Sequence, residues 1–190
     1  MHLRYNAPVT LTFALVCTLV LAINQLLFHN LIQTFFSVPG KGAFSFSTPI
    51  SYIRLISHII GHGNWAHLLA NFSFILLLGP ILEEKYSSLL VLLMMFITAL
   101  VTGLLNSLLF SAGLLGASGI VFMMILLVSF TNIKQGEIPL TFILVVALFL
   151  TKEVINSFTN NSISEFAHIL GGICGSLFGF ARPNRPAKTN

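Results

Sequence analysis

The stretch LLGASGIVFMMILL, residues 114–127, joins a glycine-containing turn to a continuous apolar run and is the key to the fold. Apart from its serine the stretch is an apolar run, which is typical of a membrane helix. Ser118 is the one hydroxyl in the stretch, with Gly116 and Gly119 on either side. We therefore predict that a membrane helix begins near Leu115 and carries Ser118 in its first turn.

The rest of the chain is equally apolar. Of its 190 residues 56% are hydrophobic and 7% are charged, and its mean hydropathy is +0.95. Soluble domains carry about 25% charged residues, so this composition indicates an integral membrane protein, and we predict one domain over residues 1–190. The net charge of +4 comes from scattered basic residues, which gives no support to a nucleic-acid partner. Cys17 and Cys174 lie in apolar runs and show no metal-ligand spacing.

The apolar runs predict an all-α membrane protein with a bundle of six transmembrane helices. The predicted spans are residues 9–28, 66–82, 88–110, 115–131, 138–155 and 164–181. Short polar connectors join the last five spans. The first connector, residues 29–65, is long and mixes phenylalanine with glycine, proline and serine, which is typical of a segment in the membrane interface.

An even number of spans places both termini on one side of the membrane. Six basic residues would share that side: Arg4, Lys85, Lys134, Arg182, Arg185 and Lys188. Three would lie on the other: Lys41, Arg54 and Lys152. The excess predicts cytoplasmic termini in a multi-pass protein of the plasma membrane.

Four polar residues stand out inside the predicted spans, where polar groups are costly and usually functional. His67 and Asn71 share one face of the second span, Ser118 opens the fourth, and His168 lies early in the sixth. These three spans run in the same direction, and each residue lies near an N-terminal end. We therefore predict that all four residues lie at similar shallow depth, towards the outer face.

The chemistry open to this group is limited by what the chain lacks. It contains no aspartate and no H-E-x-x-H motif, which excludes an aspartate dyad, a Ser-His-Asp triad and a zinc protease of that type. A neutral imidazole can take the proton of a serine hydroxyl and make it a nucleophile. The resulting oxyanion needs donors, and Asn71, His67 and the backbone at Ser118 could supply them.

Glycines favour close contact between the fourth and sixth spans. Gly171, Gly175 and Gly179 recur every four residues and form one smooth face on the sixth span. His168 lies three residues before Gly171, near the same face. A close contact of this kind would bring His168 to Ser118.

Each of these residues also has a purely structural explanation. A serine in a membrane helix commonly bonds its own i−4 carbonyl or packs at a small-residue interface. His67 and Asn71 could bond each other. His58, His62 and His67 could suggest a metal site, but the last lies off the shared face, so no metal is predicted.

The acidic residues near the span ends are expected to have structural roles. Glu165 precedes His168 by three residues and could orient it, but a helix-dipole role in the first turn is favoured. Glu83 and Glu84 are expected to be solvated or paired with Lys85.

Taken together, three motifs resemble those of the rhomboid intramembrane serine proteases. They are HGNWAHLLAN on the second span, GASG on the fourth and AHILGGICG on the sixth. Their order and span assignment resemble the six-helix rhomboid core over most of the chain, in its minimal prokaryotic form.

The resemblance implies a role for each matching residue. Ser118 is similar to the family nucleophile and His168 to its general base, while His67 and Asn71 match the oxyanion-stabilising positions. Supporting positions match at Gly116, Gly119, His62, Gly171 and Gly175. The long first connector resembles the family loop that lies partly in the outer leaflet.

Two positions depart from the family pattern. Ile53-Arg54 replaces the frequent Trp-Arg pair of the first loop, and Phe122 replaces a frequent tyrosine four residues after the nucleophile. Phenylalanine keeps the ring, so we expect Phe122 to pack on His168.

The predicted function is serine-type endopeptidase activity on peptide bonds in or next to substrate transmembrane segments. Transmembrane proteins are the expected substrates, the lipid bilayer is the expected surroundings, and no cofactor is implied. Two alternatives stay open: an inactive rhomboid-like protein that binds client helices, and a small transporter or channel that uses the polar cluster.

Overall fold

The computed structural model describes residues 4–129, 140, 143, 144, 147, 148, 151 and 162–181 of the chain. The described chain is all-α, with seven bounded helices. They are α1 (Pro8–Leu26), α2 (Leu31–Phe35), α3 (Pro49–Ser57), α4 (Trp65–Tyr86), α5 (Ser88–Leu109), α6 (Ser118–Val128) and α7 (Ser162–Ala181).

Three of these helices, α1, α4 and α5, are long and apolar enough to cross a membrane. They agree with the first three predicted spans to within a few residues. The helix α6 is shorter than its predicted span, and α7 covers the sixth. The fifth predicted span, 138–155, lies mostly outside the described residues, although 140, 143, 144, 147, 148 and 151 are helical. The count of six spans therefore stays a prediction.

The first connector contains two short helices that the sequence pattern did not predict. Pro49 occupies the first turn of α3, where its missing N–H costs nothing. The side chain of Asn24 accepts the Ile32 N–H at 2.9 Å and so fixes α2 to the end of α1. Further along, Val38 forms a two-way backbone bridge with Leu114, at 2.9 Å in each direction. The connector is thus fastened to the turn that precedes α6.

The helix α6 lies at the centre of the described bundle. It contacts α4, α5 and α7, and its methionines and leucines are buried almost all round. A helix with no polar face can be stable in this position because its neighbours, rather than water, cover every side. Ser118 therefore starts a helix whose direction is set by packing on three sides.

The carboxylate of Glu83 closes the opposite end of the bundle, which corrects the expectation that it is solvated or paired with Lys85. Glu83 is buried near the end of α4. Its Oε1 accepts both the backbone N–H and the hydroxyl of Thr10 at 2.7 Å, and its Oε2 accepts the Val9 N–H at 3.2 Å. These N–H groups belong to the first turn of α1, which lacks an internal acceptor for them. A carboxylate there also complements the helix dipole.

We expect Glu83→Gln to lower the thermal unfolding midpoint of the purified protein in detergent without added lipid. The amide keeps one acceptor oxygen but loses the charge that favours the helix start, a loss of about 1–2 kcal/mol. Glu84→Gln is the matched control because Glu84 is the next residue and is exposed. Equal midpoints for the Glu83 variant and the wild type would contradict the assigned capping role.

Candidate active site

Ser118 is the first residue of α6 and is partly buried. The residue before it, Ala117, makes no side-chain cap, and the first intrahelical bond runs from the Val121 N–H to the Ala117 carbonyl at 3.0 Å. The N–H groups of the first turn therefore have no acceptor within their own helix. Such groups can donate to a negatively charged oxygen placed beside the serine.

The turn before Ser118 depends on glycine at position 116. Gly116 has a φ of +113°, a conformation that other residues rarely adopt. Its N–H donates to the carbonyl of His58 at 2.9 Å, which ties the turn to the segment before α4. With the Val38–Leu114 bridge, this bond holds the approach to Ser118 from two sides.

The ring of His67 lies directly against Gly116. A Cβ atom at position 116 would be 2.6 Å from Cε1 and 2.8 Å from Nε2 of His67, so a larger residue would displace the imidazole. His67 lies in the first turn of α4, where the side chain of Asn64 caps the helix by accepting the His67 N–H at 2.8 Å. The Asn64 cap and the absence of a side chain at Gly116 together allow the His67 ring to lie against Gly116, two residues before Ser118.

His62 supports His67 from the other side. The two imidazoles meet edge to face with centroids 5.1 Å apart. His62 Nδ1 lies 3.0 Å from the Ile60 carbonyl, which can only accept, so Nδ1 carries the proton and donates. Burial lowers the pKa of His62 to about 4, with a smaller lowering from His67 and an opposing contribution from the Ile60 carbonyl. His62 is therefore neutral at physiological pH.

Asn71 follows His67 by one helical turn on the same face of α4. Its side chain is 6% exposed, and its Nδ2 has no hydrogen-bond partner in the described part of the chain. The Asn71 side chain thus does not donate a hydrogen bond to His67 through this nitrogen, which was one of the structural explanations. A buried donor without a partner costs free energy unless something else uses it.

His168 comes to α6 through the helix packing predicted from the glycines. A Cβ atom at Gly171 would collide with the carbonyl of Gly119, and one at Gly175 would collide with that of Met123. From the other side, a Cβ at Gly119 would lie 3.3 Å from the Ala167 carbonyl. The two backbones therefore touch over more than one turn, beginning one residue after Ser118.

The expected packing of Phe122 on His168 is also confirmed. Their ring centroids lie 4.3 Å apart, with an angle of 36° between the planes. Phe122 is one turn beyond Ser118, so the imidazole lies beside the first turn of α6. Phe122 lacks the hydroxyl of the tyrosine that rhomboid proteases often have at this position, and the ring contact is present without it.

The structure thus brings His67 against the turn before Ser118 and His168 against Phe122, one turn after Ser118. His67, Asn71 and His62 come from α4 and the segment before it, and His168 comes from α7. The catalytic roles of Ser118, His168, His67 and Asn71 remain predictions.

Two residues near the site, Glu165 and His58, have features that the sequence did not predict. Glu165 lies in the first turn of α7, as the helix-dipole explanation requires, but it is 6% exposed and its Oε1 has no partner among the described residues. His58 was considered only as a metal ligand, yet its carbonyl holds Gly116. Backbone contacts of this kind leave no pattern in the sequence. Within the described ranges, no group of three or more His, Cys, Asp or Glu is arranged to hold a metal ion.

Comparison with known proteins agrees with the motifs. The family model described as "Rhomboid domain" matches residues 49–185. The chain is also similar to the rhomboid protease GlpG of Haemophilus influenzae, at 24% identity over 182 residues. That alignment covers 94% of this chain and 92% of the relative.

We expect Gly171→Ala to disrupt the packing of α6 on α7 and to lower stability by about 1–3 kcal/mol, because the added methyl meets backbone rather than a movable side chain. Thermal unfolding in detergent measures this. Gly63→Ala is the matched control because nothing lies within 4 Å of a Cβ at that position. Similar unfolding midpoints for the two variants would show that the backbones are not in tight contact.

Proposed function

Because this chain belongs to the rhomboid family, we propose that it is an intramembrane serine endopeptidase that acts through a Ser118–His168 dyad. The observation that carries the proposal is the backbone contact between α6 and α7, where Gly171 packs on Gly119. This contact places the helix that bears His168 against the helix that begins at Ser118. The name of the similar relative, a rhomboid protease, supports the same activity.

In the proposed reaction, His168 takes the proton of the Ser118 hydroxyl as Oγ attacks the carbonyl carbon of the scissile peptide bond. The tetrahedral intermediate then collapses, and the imidazolium gives its proton to the leaving amine. Water, deprotonated by His168, hydrolyses the acyl-enzyme and regenerates Ser118. All proton transfers use this chain's own groups and water. The tilted packing on Phe122 limits rotation of the imidazole, which is a task that a third catalytic residue performs in triads.

The oxyanion of the intermediate would receive hydrogen bonds from three directions. Asn71 Nδ2 offers a buried N–H that has no partner within the described ranges, His67 offers a ring N–H beside Gly116, and the first turn of α6 offers backbone N–H groups. Donors held in place before the reaction cost no reorganisation when charge develops. His62 helps to orient His67 through the ring contact, and its low pKa makes it unsuitable as a general base near neutrality.

The substrates proposed are transmembrane proteins whose helices unwind readily near the level of Ser118. An intact helix bonds its own carbonyls and leaves none for attack. We propose that the protein lies in the plasma membrane, and the distribution of basic residues supports cytoplasmic termini. On that orientation the α6 start faces the outer side, where water for hydrolysis can reach it.

We expect a fluorophosphonate probe, which reacts with activated serines, to label the purified protein on Ser118. Labelling should disappear in Ser118→Ala, which lacks the nucleophile, and in His168→Ala, because activation of the hydroxyl requires the base. It should persist in Ser129→Ala, since Ser129 lies at the opposite end of α6 and bonds the Ile125 carbonyl. Mass spectrometry of the modified peptide identifies the residue.

A folded wild-type protein that neither reacts with the probe nor cleaves transmembrane substrates would overturn the dyad. The inactive client-binding alternative would then be favoured. Equal labelling of all variants would show that the probe reacts elsewhere.

We expect Asn71→Ala to lower kcat on a transmembrane substrate by roughly a hundredfold with little change in KM, because the lost donor acts on the transition state. Thermal stability should not fall with it, since the removed amide nitrogen has no partner among the described residues. Ser73→Ala is the control, because Ser73 is two residues further along α4 and exposed. A parallel loss of stability and activity in Asn71→Ala would instead indicate a structural role.

A further inference from the structure

A polar cavity of about 420 Å³ lies at the end of the bundle opposite Ser118. It is formed where α1 begins, α4 ends and α5 begins. Its lining includes Arg4, Asn6, Glu84 and Ser88. The proposed peptidase chemistry uses none of these residues, so the cavity needs an explanation of its own.

Two side chains of opposite charge, Arg4 and Glu84, line the cavity without forming an ion pair with each other. Glu83 also borders it, but its oxygens are occupied by the first turn of α1. Arg4 and Glu84 are exposed, and neither makes an ion pair with another described residue. Among the described residues, nothing therefore prevents this guanidinium and this carboxylate from binding one small ligand.

The wall of the cavity continues onto an apolar surface. Pro80 and Ile81 line it on the α4 side, and Ile81 is 45% exposed. On the α5 side, Leu89 follows Ser88 and is 77% exposed. Both helices are long and apolar enough to cross a membrane, and in a membrane an exposed apolar surface of this kind is covered by lipid tails. The cavity is thus polar at the ends of the helices and is bordered by apolar side chains further along them. This arrangement matches the polar headgroup and apolar chains of a phospholipid.

We propose that this cavity binds the headgroup of a phosphoethanolamine lipid. The guanidinium of Arg4 and the amide of Asn6 donate hydrogen bonds to the phosphate, since arginine pairs well with two phosphate oxygens at once. The carboxylate of Glu84 accepts from the ammonium group. The acyl chains run along Ile81 and Leu89.

Other ligands fit the same residues less well. A free phosphate would satisfy Arg4 but would be repelled by Glu84 and Glu83. A divalent cation would find one unoccupied carboxylate and a nearby guanidinium of like charge. A choline headgroup has the right charges, but its quaternary nitrogen has no N–H to donate to Glu84. The chemistry of the lining therefore favours a primary ammonium next to a phosphate.

The test is native mass spectrometry of the delipidated protein, titrated with phosphatidylethanolamine, phosphatidylcholine or phosphatidylglycerol of identical acyl chains. We expect phosphatidylethanolamine to bind roughly tenfold more tightly than the other two, because each of them lacks the charge-assisted hydrogen bond to Glu84. The preference should be lost in Glu84→Gln and weakened in Arg4→Gln. Lys85→Gln should retain it, since Lys85 is adjacent in sequence but does not line the cavity.

Thermal unfolding without lipid distinguishes a lost site from a lost fold, because the Arg4 and Glu84 variants should unfold at the wild-type temperature. Equal binding of the three lipids, or a preference that survives Glu84→Gln in the folded protein, would overturn the proposal. Soluble glycerophosphoethanolamine is titrated as a fourth ligand. If it bound as tightly as the lipid, the ligand would be a soluble metabolite and not a membrane component.

Discussion

The contact between the backbones of α6 and α7 is the constraint on which the rest of the candidate site depends. At Gly171 and Gly175 a single methyl group would collide with a carbonyl oxygen of α6, and at Gly119 it would lie only 3.3 Å from the Ala167 carbonyl of α7. In lipid there is no hydrophobic gain from helix association, so such contacts rely on close packing and are sensitive to small changes of side-chain volume. The position of His168 relative to Ser118 follows from this packing, and Phe122 then fixes the ring.

The α4 side of the site is built by a different means. There the turn before Ser118 is shaped by the positive φ of Gly116, which also leaves room for the His67 ring. The first connector contributes through Val38, which bonds the Leu114 backbone in both directions. A segment that looks like a simple connector in the sequence thus supports the turn that leads into α6. The surroundings of Ser118 are therefore fixed by helix packing on the α7 side and by loop contacts on the α4 side.

The sequence predicted the features that depend on local pattern. Apolar run lengths located α1, α4 and α5, and the four-residue glycine spacing predicted the α6–α7 contact. The features it missed depend on atoms distant in the chain. Glu83 looked like a solvated acid because nothing near it in sequence indicates that the first turn of α1 lies against its carboxylate. Likewise, α2 and α3 are too short to show periodicity.

Several buried polar atoms have no hydrogen-bond partner among the described residues. Asn71 Nδ2, His62 Nε2 and Glu165 Oε1 are all buried and unpaired within the described residues. Each should cost stability, and a chain selected for stability alone would replace them with apolar side chains. His62 lies just before α4, Asn71 lies in the second turn of α4 and Glu165 lies in the first turn of α7, at the end of the bundle where α6 begins. At the opposite end, the buried carboxylate of Glu83 is fully engaged with α1. The difference between the two ends argues that the groups near Ser118 are retained for a ligand or a reaction rather than for the fold.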